Sequence, residues 1–381
     1  MVTRPLFRLT SLIAPLALLP ALLGCHSQGQ APLSPEALAA VKDHPGASRE
    51  LLARTMDALF TASDIGETRA LLVMYKGRVV AERYGPGYDS GTPLIGWSMS
   101  KTVTGVLVGL LVADGRLRLD ESLPVPAWQR PGDPRGEITL RQLLQMRSGL
   151  RHVEGGEPAR DADTVRMLFT DGRDDMAAYA EAQPLEAEPG RQFRYSTATS
   201  VILSDIATRA LTDSRDPATR RQVMADYLHT RLFEPLGMKS AVAEYDAAGT
   251  LEGGSMIHAT ARDWGKFGEF LRLQGSVQGV RVVPSDWVHF MTTPSPRNPA
   301  YGAQLWLNRT QDSGKVELFP SRGPRSLFAA VGHGGQYVIV SPDQQLTIVR
   351  LGKTRDAQRP ALVARLADIA VLFGGGKKEE D

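Results

Sequence analysis

The sequence predicts an α+β protein in which one antiparallel sheet is assembled from both ends of the chain, flanked by helices, with an all-α lobe inserted between. Three observations predict it. Ala70–Tyr75 and Arg78–Tyr84 are two apolar runs separated by Lys76-Gly77, which reads as a β-hairpin on a short glycine turn. Strand-like runs return late, at Leu327–Val331, Gln336–Val340 and Leu346–Leu351, with Pro342-Asp343 as a turn between the last two. The stretch from about Val153 to Met238 is patterned mainly as helix, with a turn at Pro189-Gly190. Strands at both ends and helices between them place a site in the cleft between the two lobes.

The remaining elements follow in order. Ser34-Pro35-Glu36 is a helix start, and Leu51, Leu52, Met56 and Leu59 recur at helical spacing, so Ser34–Leu59 reads as one helix. Gly85–Pro93 is a Gly/Pro/Asp-rich loop. From Lys101 to Ala113 the chain is apolar on every side before Asp114-Gly115 closes the run, which marks a buried helix. Ile138–Leu144 begins another helix that ends at Ser148-Gly149. Arg262–Leu273, Pro284–Met291 and the closing Ala361–Phe373 are helices, and Gly302–Leu307 is a short aromatic-bearing strand.

The first residues read as a targeting segment. Arg4 and Arg8 precede the apolar run Ser11–Leu23, which is too short and too proline-interrupted for a comfortable membrane span. It ends in Leu22-Leu23-Gly24-Cys25, a string that resembles the bacterial lipobox, whose cysteine becomes the lipidated first residue. Cys25 is the only cysteine, so no internal disulfide forms. His26 follows where an aspartate would signal inner-membrane retention. The resemblance therefore implies a lipid anchor in the cell envelope, at the outer membrane and facing the periplasm. A net charge of +2 gives no nucleic-acid footprint, and the seven histidines form no HExxH or HxH pair that would suggest a metal site.

Three strings carry chemistry. The first is Ser98-Met99-Ser100-Lys101. Residues i and i+3 share a helix face, so the Ser98 hydroxyl and the Lys101 amine can meet. A lysine enclosed by apolar walls has its pKa lowered and can take a proton from a weak nucleophile near neutral pH. SxxK alone is a weak signal, but this is the only one in the chain and it opens the most apolar helix after the leader. The second is Tyr195-Ser196-Thr197, where a tyrosine beside a cationic lysine would lose its proton more easily and act as base or proton carrier. The third is Gly332-His333-Gly334-Gly335-Gln336. Its glycines let a ligand lie along the strand edge. The backbone N–H groups of Ser98 and Gln336 are candidates for the two donors an oxyanion needs. His333, Gly334, Gly335 and Thr197 are candidate substrate contacts, and Glu154, Asp246 and Trp306 are further candidates to line the cleft.

These motifs, in this order, resemble the serine β-lactamase and penicillin-binding-protein superfamily, in which SxxK is followed by Tyr-x-Asn and then by Lys-Thr-Gly or a His-x-Gly variant. The strings ITLRQLLQMRSGL, LFEPLGMKSA, HATARDWGKFGEFLRLQG, VVPSDWV and GHGGQYVIVSPDQQLTIVRLG look most like the β-lactamase-related hydrolases of the nylon-oligomer (6-aminohexanoate-dimer) hydrolase branch. The resemblance implies a β-lactamase/transpeptidase-like fold, with Ser98 as acylated nucleophile, Lys101 as its proton partner, Tyr195 as general base and His333 at the third motif. It implies no metal or organic cofactor.

Two departures shape the expected substrate. Thr197 stands where an asparagine amide would hold a β-lactam or peptide carbonyl, and His333 stands where a permanent cation would hold a carboxylate. Both favour an esterase or amidase acting on a small-molecule ester or amide over a true β-lactamase. A non-hydrolytic, peptidoglycan-binding lipoprotein is the alternative, and a missing catalytic member would be its mark. The expected organisation is a signal peptide (1–24), a tether (25–45), one catalytic domain (46–375) and a tail (376–381). Within the domain an α/β lobe covers about 46–97 and 255–375, and a helical lobe about 98–254. Oligomeric state is not visible in the sequence.

Overall fold

The turn at Lys76-Gly77 sets the sheet. Both residues take left-handed backbone, with φ of 52° and 78°, as a two-residue hairpin turn requires. They join β1 (Glu67–Tyr75) to β2 (Arg78–Tyr84) in a computed structural model that describes residues 1–2, 32–314 and 316–374. Four late strands complete the sheet: β3 (Trp306–Leu307), β4 (Phe328–Gly332), β5 (Gln336–Ser341) and β6 (Leu346–Lys353). The order is β2-β1-β6-β5-β4-β3, antiparallel throughout, with Leu72 opposite Val349 and Tyr337 opposite Arg350. The two ends of the chain thus meet at the sheet's centre, as the patterning predicts.

Five helices matter for the site: α1 (Arg49–Thr61), α2 (Ser100–Ala113), α3 (Thr197–Leu211), α4 (Ala261–Arg272) and α5 (Arg359–Leu372). Strand alternation divides the sheet's side chains between two faces. Leu72, Met74, Val338, Val340, Val349 and Leu351 join the main core, against which α4 packs. Helices α1 and α5 pack on each other, and α1 also packs on β1. Within the 98–254 interval, α2 is buried on every side from Ser100 to Leu111 and packs against α3. The shorter helices Leu140–Leu144, Asp163–Phe169, Met176–Glu181 and Pro217–Leu228 belong to the same interval. Thr139 and Gln142 form a reciprocal cap on the first of these.

Three expectations are corrected. Ser34–Leu59 is two helices, Pro35–Ala39 and α1, with Pro45-Gly46 in the connection that keeps them apart. Gly46 has φ 86°, and a Cβ there would lie 2.3 Å from the Tyr75 ring. The freed segment extends the sheet: Val41 bridges Ala81, and the Lys42 N–H donates to the Val80 carbonyl at 2.8 Å. The folded body therefore begins at Ser34, and residues 34–45 are not a tether. In Gly302–Leu307 only β3 is strand, because Gly302 is pressed against the Met291 carbonyl, 1.9 Å from where a Cβ would sit. The signal peptide, Cys25 and the tail at 376–381 lie outside the described residues.

Helix α4 approaches the sheet through glycines. A Cβ on Gly268 would meet Thr347 Cγ2 at 2.6 Å and Val338 Cγ1 at 2.8 Å. Gly268→Leu is therefore expected to cost about 1–3 kcal/mol through overpacking. The measurement is the urea midpoint, which should fall with an unchanged slope; an unmoved midpoint would mean the contact is slack.

Candidate active site

Ser98 sits in a short 3₁₀ turn, Trp97–Met99, that leads into α2. Trp97 has φ 48°, an uncommon conformation for a bulky residue. Gly96 before it is closely packed, since a Cβ would lie 2.5 Å from the Trp264 ring. One helical step on, Lys101 is 1% exposed. Its ammonium donates to Ser98 Oγ at 2.9 Å, Thr197 Oγ1 at 2.7 Å and the Gly254 carbonyl at 2.8 Å. Burial pushes Lys101 down to about 8, and the charge of Glu154 keeps it from falling further. The expected pairing of Ser98 with Lys101 is in place.

Thr197 is where the structure departs from expectation. It is the first residue of α3, behind the capping hydroxyl of Ser196, and is buried. Its hydroxyl accepts from Lys101 and donates to Glu154 Oε1 at 2.6 Å, while its N–H donates to Glu154 Oε2 at 2.7 Å. Its hydroxyl and N–H are both occupied within the protein, so Thr197 supports Lys101 from beneath the nucleophile.

Glu154 belongs to this network. Burial alone would raise its carboxyl, but Lys101, His152 and Thr197 together hold it at about 2. The buried His152 places Nε2 2.8 Å from Glu154 Oε2 and 3.0 Å from Thr164 Oγ1, and its Nδ1 has no partner among the described residues. The proton therefore belongs on Nε2, directed at the carboxylate. Sequence reading named Glu154 without a role and missed His152. The available signal was Thr197 itself: a buried hydroxyl that accepts from a lysine must donate elsewhere. Asp246, also named, instead accepts the N–H groups of Met176 and Thr250 and is structural.

Tyr195 stacks on Trp306 at 5.4 Å between centroids and meets Tyr301 edge-on at 5.9 Å. The Lys101 ammonium lies 5.1 Å from its ring centre. Its phenol is raised well above the usual tyrosine range by burial first and by the charge of Glu154 second, with contact to the Ser98 hydroxyl acting the other way. Tyr195 is therefore harder to ionise than expected, because burial first and the charge of Glu154 second oppose the loss of its proton. Ser98, Lys101, Tyr195, Tyr301, Gln304 and Trp306 are among the residues lining a narrow crevice.

The third motif forms the turn between β4 and β5. Gly332 abuts the nucleophile's segment, since a Cβ there would lie 2.2 Å from the Gly96 carbonyl. The exposed His333 ring meets Trp97 edge-on at 5.6 Å. Among the described residues the N–H groups of His333, Gly334 and Gly335, which lie outside the strand ladder, donate to no backbone carbonyl. Gln336 opens β5 in register with Gly332. Its side chain turns to the Gly352 carbonyl at 2.7 Å, the Gly352 N–H at 2.8 Å and the His333 carbonyl at 2.9 Å. His333 thus meets the Ser98 segment through Trp97, while the Gln336 side chain is taken up by Gly352 and the turn. No cluster of metal-ligating side chains occurs among the described residues.

A serine and a desolvated lysine at a crevice between a sheet end and a helical lobe define a class, the serine hydrolases of the SxxK type. The β-lactamase family model matches residues 56–372, and the chain belongs to that family, as a hydrolase of the serine β-lactamase superfamily. It is 25% identical over 298 residues to the 6-aminohexanoate-dimer hydrolase of Paenarthrobacter ureafaciens, covering 76% of this chain and 73% of that one. Among solved structures it resembles a family VIII carboxylesterase, with a TM-score of 0.61, 16% identity and coverage of 85% of this chain and 97% of that one. It also resembles a penicillin-binding protein homolog from Caulobacter crescentus, with a TM-score of 0.57, 16% identity and coverage of 88% and 99%. These two likenesses establish the shared fold.

The coupling of Lys101 to Glu154 has a readable sign. Wild-type labelling by a serine-directed fluorophosphonate is expected to rise with pH through about 8 as Lys101 loses its proton. Glu154→Gln removes the anion that retains that proton, so the midpoint should move to lower pH. A midpoint that stays in place would separate Glu154 from the titration.

Proposed function

We propose that this protein is a lipid-anchored serine esterase or amidase that works through an acyl-enzyme on Ser98. The observation that carries the reading is the Lys101 ammonium, shut from water, poised near neutrality and 2.9 Å from the Ser98 hydroxyl. In its neutral form Lys101 takes the Ser98 proton as Oγ attacks the substrate carbonyl. The tetrahedral oxyanion is held by the N–H groups of Ser98 and His333. As the intermediate collapses, the proton passes to the leaving alcohol or amine, with the neutral Tyr195 phenol as carrier. Water then attacks the ester on Ser98 and releases the acid.

The substrate reading rests on what faces the cleft. Thr197 is committed to Lys101 and Glu154, so it offers no amide to a β-lactam side chain. The third motif presents His333 in place of a fixed cation. One relative is named a 6-aminohexanoate-dimer hydrolase and one solved neighbour a carboxylesterase, which supports a small-molecule ester or amide substrate. Cys25, at the lipobox-like string, is proposed as the lipidated residue that holds the enzyme at the outer membrane on the periplasmic side.

The test is turnover of a panel of p-nitrophenyl esters, D-amino-acid amides, 6-aminohexanoate dimer and nitrocefin. Wild type is expected to hydrolyse an ester or amide faster than nitrocefin, and Ser98→Ala to lose at least about 10³-fold. Equal rates for the two proteins would end the acyl-enzyme reading. A folded wild type inert to every substrate would favour peptidoglycan binding without turnover. Separately, Cys25→Ser is expected to abolish incorporation of radiolabelled palmitate in a bacterial host; retained label would exclude Cys25 as the anchor.

A further inference from the structure

Arg350 is fully buried in the middle of β6, a central strand, and forms no ion pair among the described residues. A buried cation without a counter-ion is destabilising, and a merely structural need would be met by an apolar side chain. Burial lowers its guanidinium to about 10. Its donors go to backbone and one hydroxyl. Nη2 donates to the Glu67 carbonyl at 2.7 Å and Nε to Thr68 Oγ1 at 3.2 Å, which fixes the head group to β1. Nη1 donates to the Gly335 carbonyl at 2.9 Å and the Gly334 carbonyl at 3.3 Å.

Those two carbonyls belong to the turn that follows the proposed oxyanion donor, His333. Gly334 and Gly335 have φ of 71° and 80°, and consecutive glycines are the least constrained backbone a chain can offer. Left alone, such a turn would place the His333 N–H imprecisely, and a small misplacement of a donor is costly in catalysis. Every carbonyl of the turn is instead tied back. His333 is held by the Gln336 side chain, Gly334 by Arg350 and the Thr354 N–H, and Gly335 by Arg350. The room for the guanidinium is made by glycine: a Cβ on Gly335 would lie 2.8 Å from Nη1, and one on Gly352 would lie 2.7 Å from Cζ.

We propose that Arg350 is a positioning residue for the oxyanion site: it pins the Gly334-Gly335 turn to the rigid strands β1 and β6 and thereby fixes the His333 N–H beside Ser98. It does not touch substrate. The proposal rests on the acyl-enzyme reading above, and its test separates the two. Arg350→Met and Arg350→Lys are compared with wild type by ester turnover, by inhibition with an alkyl boronic acid that forms a tetrahedral anion on serine, and by amide hydrogen exchange.

Arg350→Met is expected to lower kcat by about 10–100-fold with KM within about twofold, and to weaken boronate inhibition by a similar factor. Arg350→Lys, which keeps the charge and one reach to the turn, should recover part of both. Should Arg350→Met not be obtained folded, Arg350→Lys carries the test with smaller losses in the same direction. Exchange at residues 333–336 is expected to quicken at least about tenfold in Arg350→Met while that of α4 stays unchanged. Wild-type kcat and boronate affinity in a folded Arg350→Met, or a loss confined to KM, would overturn the proposal. Unaltered exchange in the turn would also overturn it, even if wild type proved to hydrolyse nothing, an outcome that would sink the functional reading alone.

Discussion

Lys101 is closed off from water where several segments of the chain meet, and its need for acceptors organises what surrounds it. Its three contacts come from the 3₁₀ turn at Ser98, the first residue of α3 and the backbone at Gly254. Removing any of them would leave a buried ammonium short of a partner, a loss larger than that of an ordinary hydrogen bond. Two opposed influences set its proton affinity: desolvation drives the proton off and Glu154 draws it back. A lysine near neutrality, neither permanently charged nor permanently neutral, is what a serine needs as a partner for reversible proton exchange.

That balance reassigns work within the site. Glu154 stabilises the lysine's charge and opposes the tyrosinate, so one carboxylate acts on both partners of the serine. Tyr195 consequently rests as a neutral phenol in an aromatic wall with Tyr301 and Trp306, suited to hand a proton on rather than to remove the first one. Thr197 transmits the link between Lys101 and Glu154 through a single hydroxyl whose orientation both neighbours dictate. A threonine at this position offers no amide and instead ties Lys101 to Glu154 beneath the nucleophile.

Much of this was legible in the chain because it depends on local spacing. The i, i+3 relation of Ser98 and Lys101, the Lys76-Gly77 turn and the apolar circumference of α2 are properties of neighbouring residues, and the structure has all three. What escaped depends on contacts between distant segments. Glu154 reaches Thr197 across 43 positions, and Arg350 within Val349-Arg350-Leu351 looks like the polar member of an alternating strand until β1 and the glycine turn close over it. The second oxyanion donor was placed at Gln336 because two glycines precede it. The register of Gln336 with Gly332 puts His333 in the turn instead. The Ser34 start was visible, but the break at Pro45-Gly46 was overridden by the helical spacing of the leucines beyond it.

The break has an effect on the rim of the sheet. By leaving helix after Ala39, the chain lays Ala40–Lys42 along the outer side of β2, where the Glu82 N–H finds the Ala40 carbonyl at 2.9 Å. The opposite rim ends in a strand of two residues, with Tyr301 bridged to Trp306 beside it. Neither margin offers a long row of vacant peptide groups for a second polypeptide to zip onto. The apolar strands at the centre of the sheet are thereby left with no open neighbour position through which two copies could coalesce.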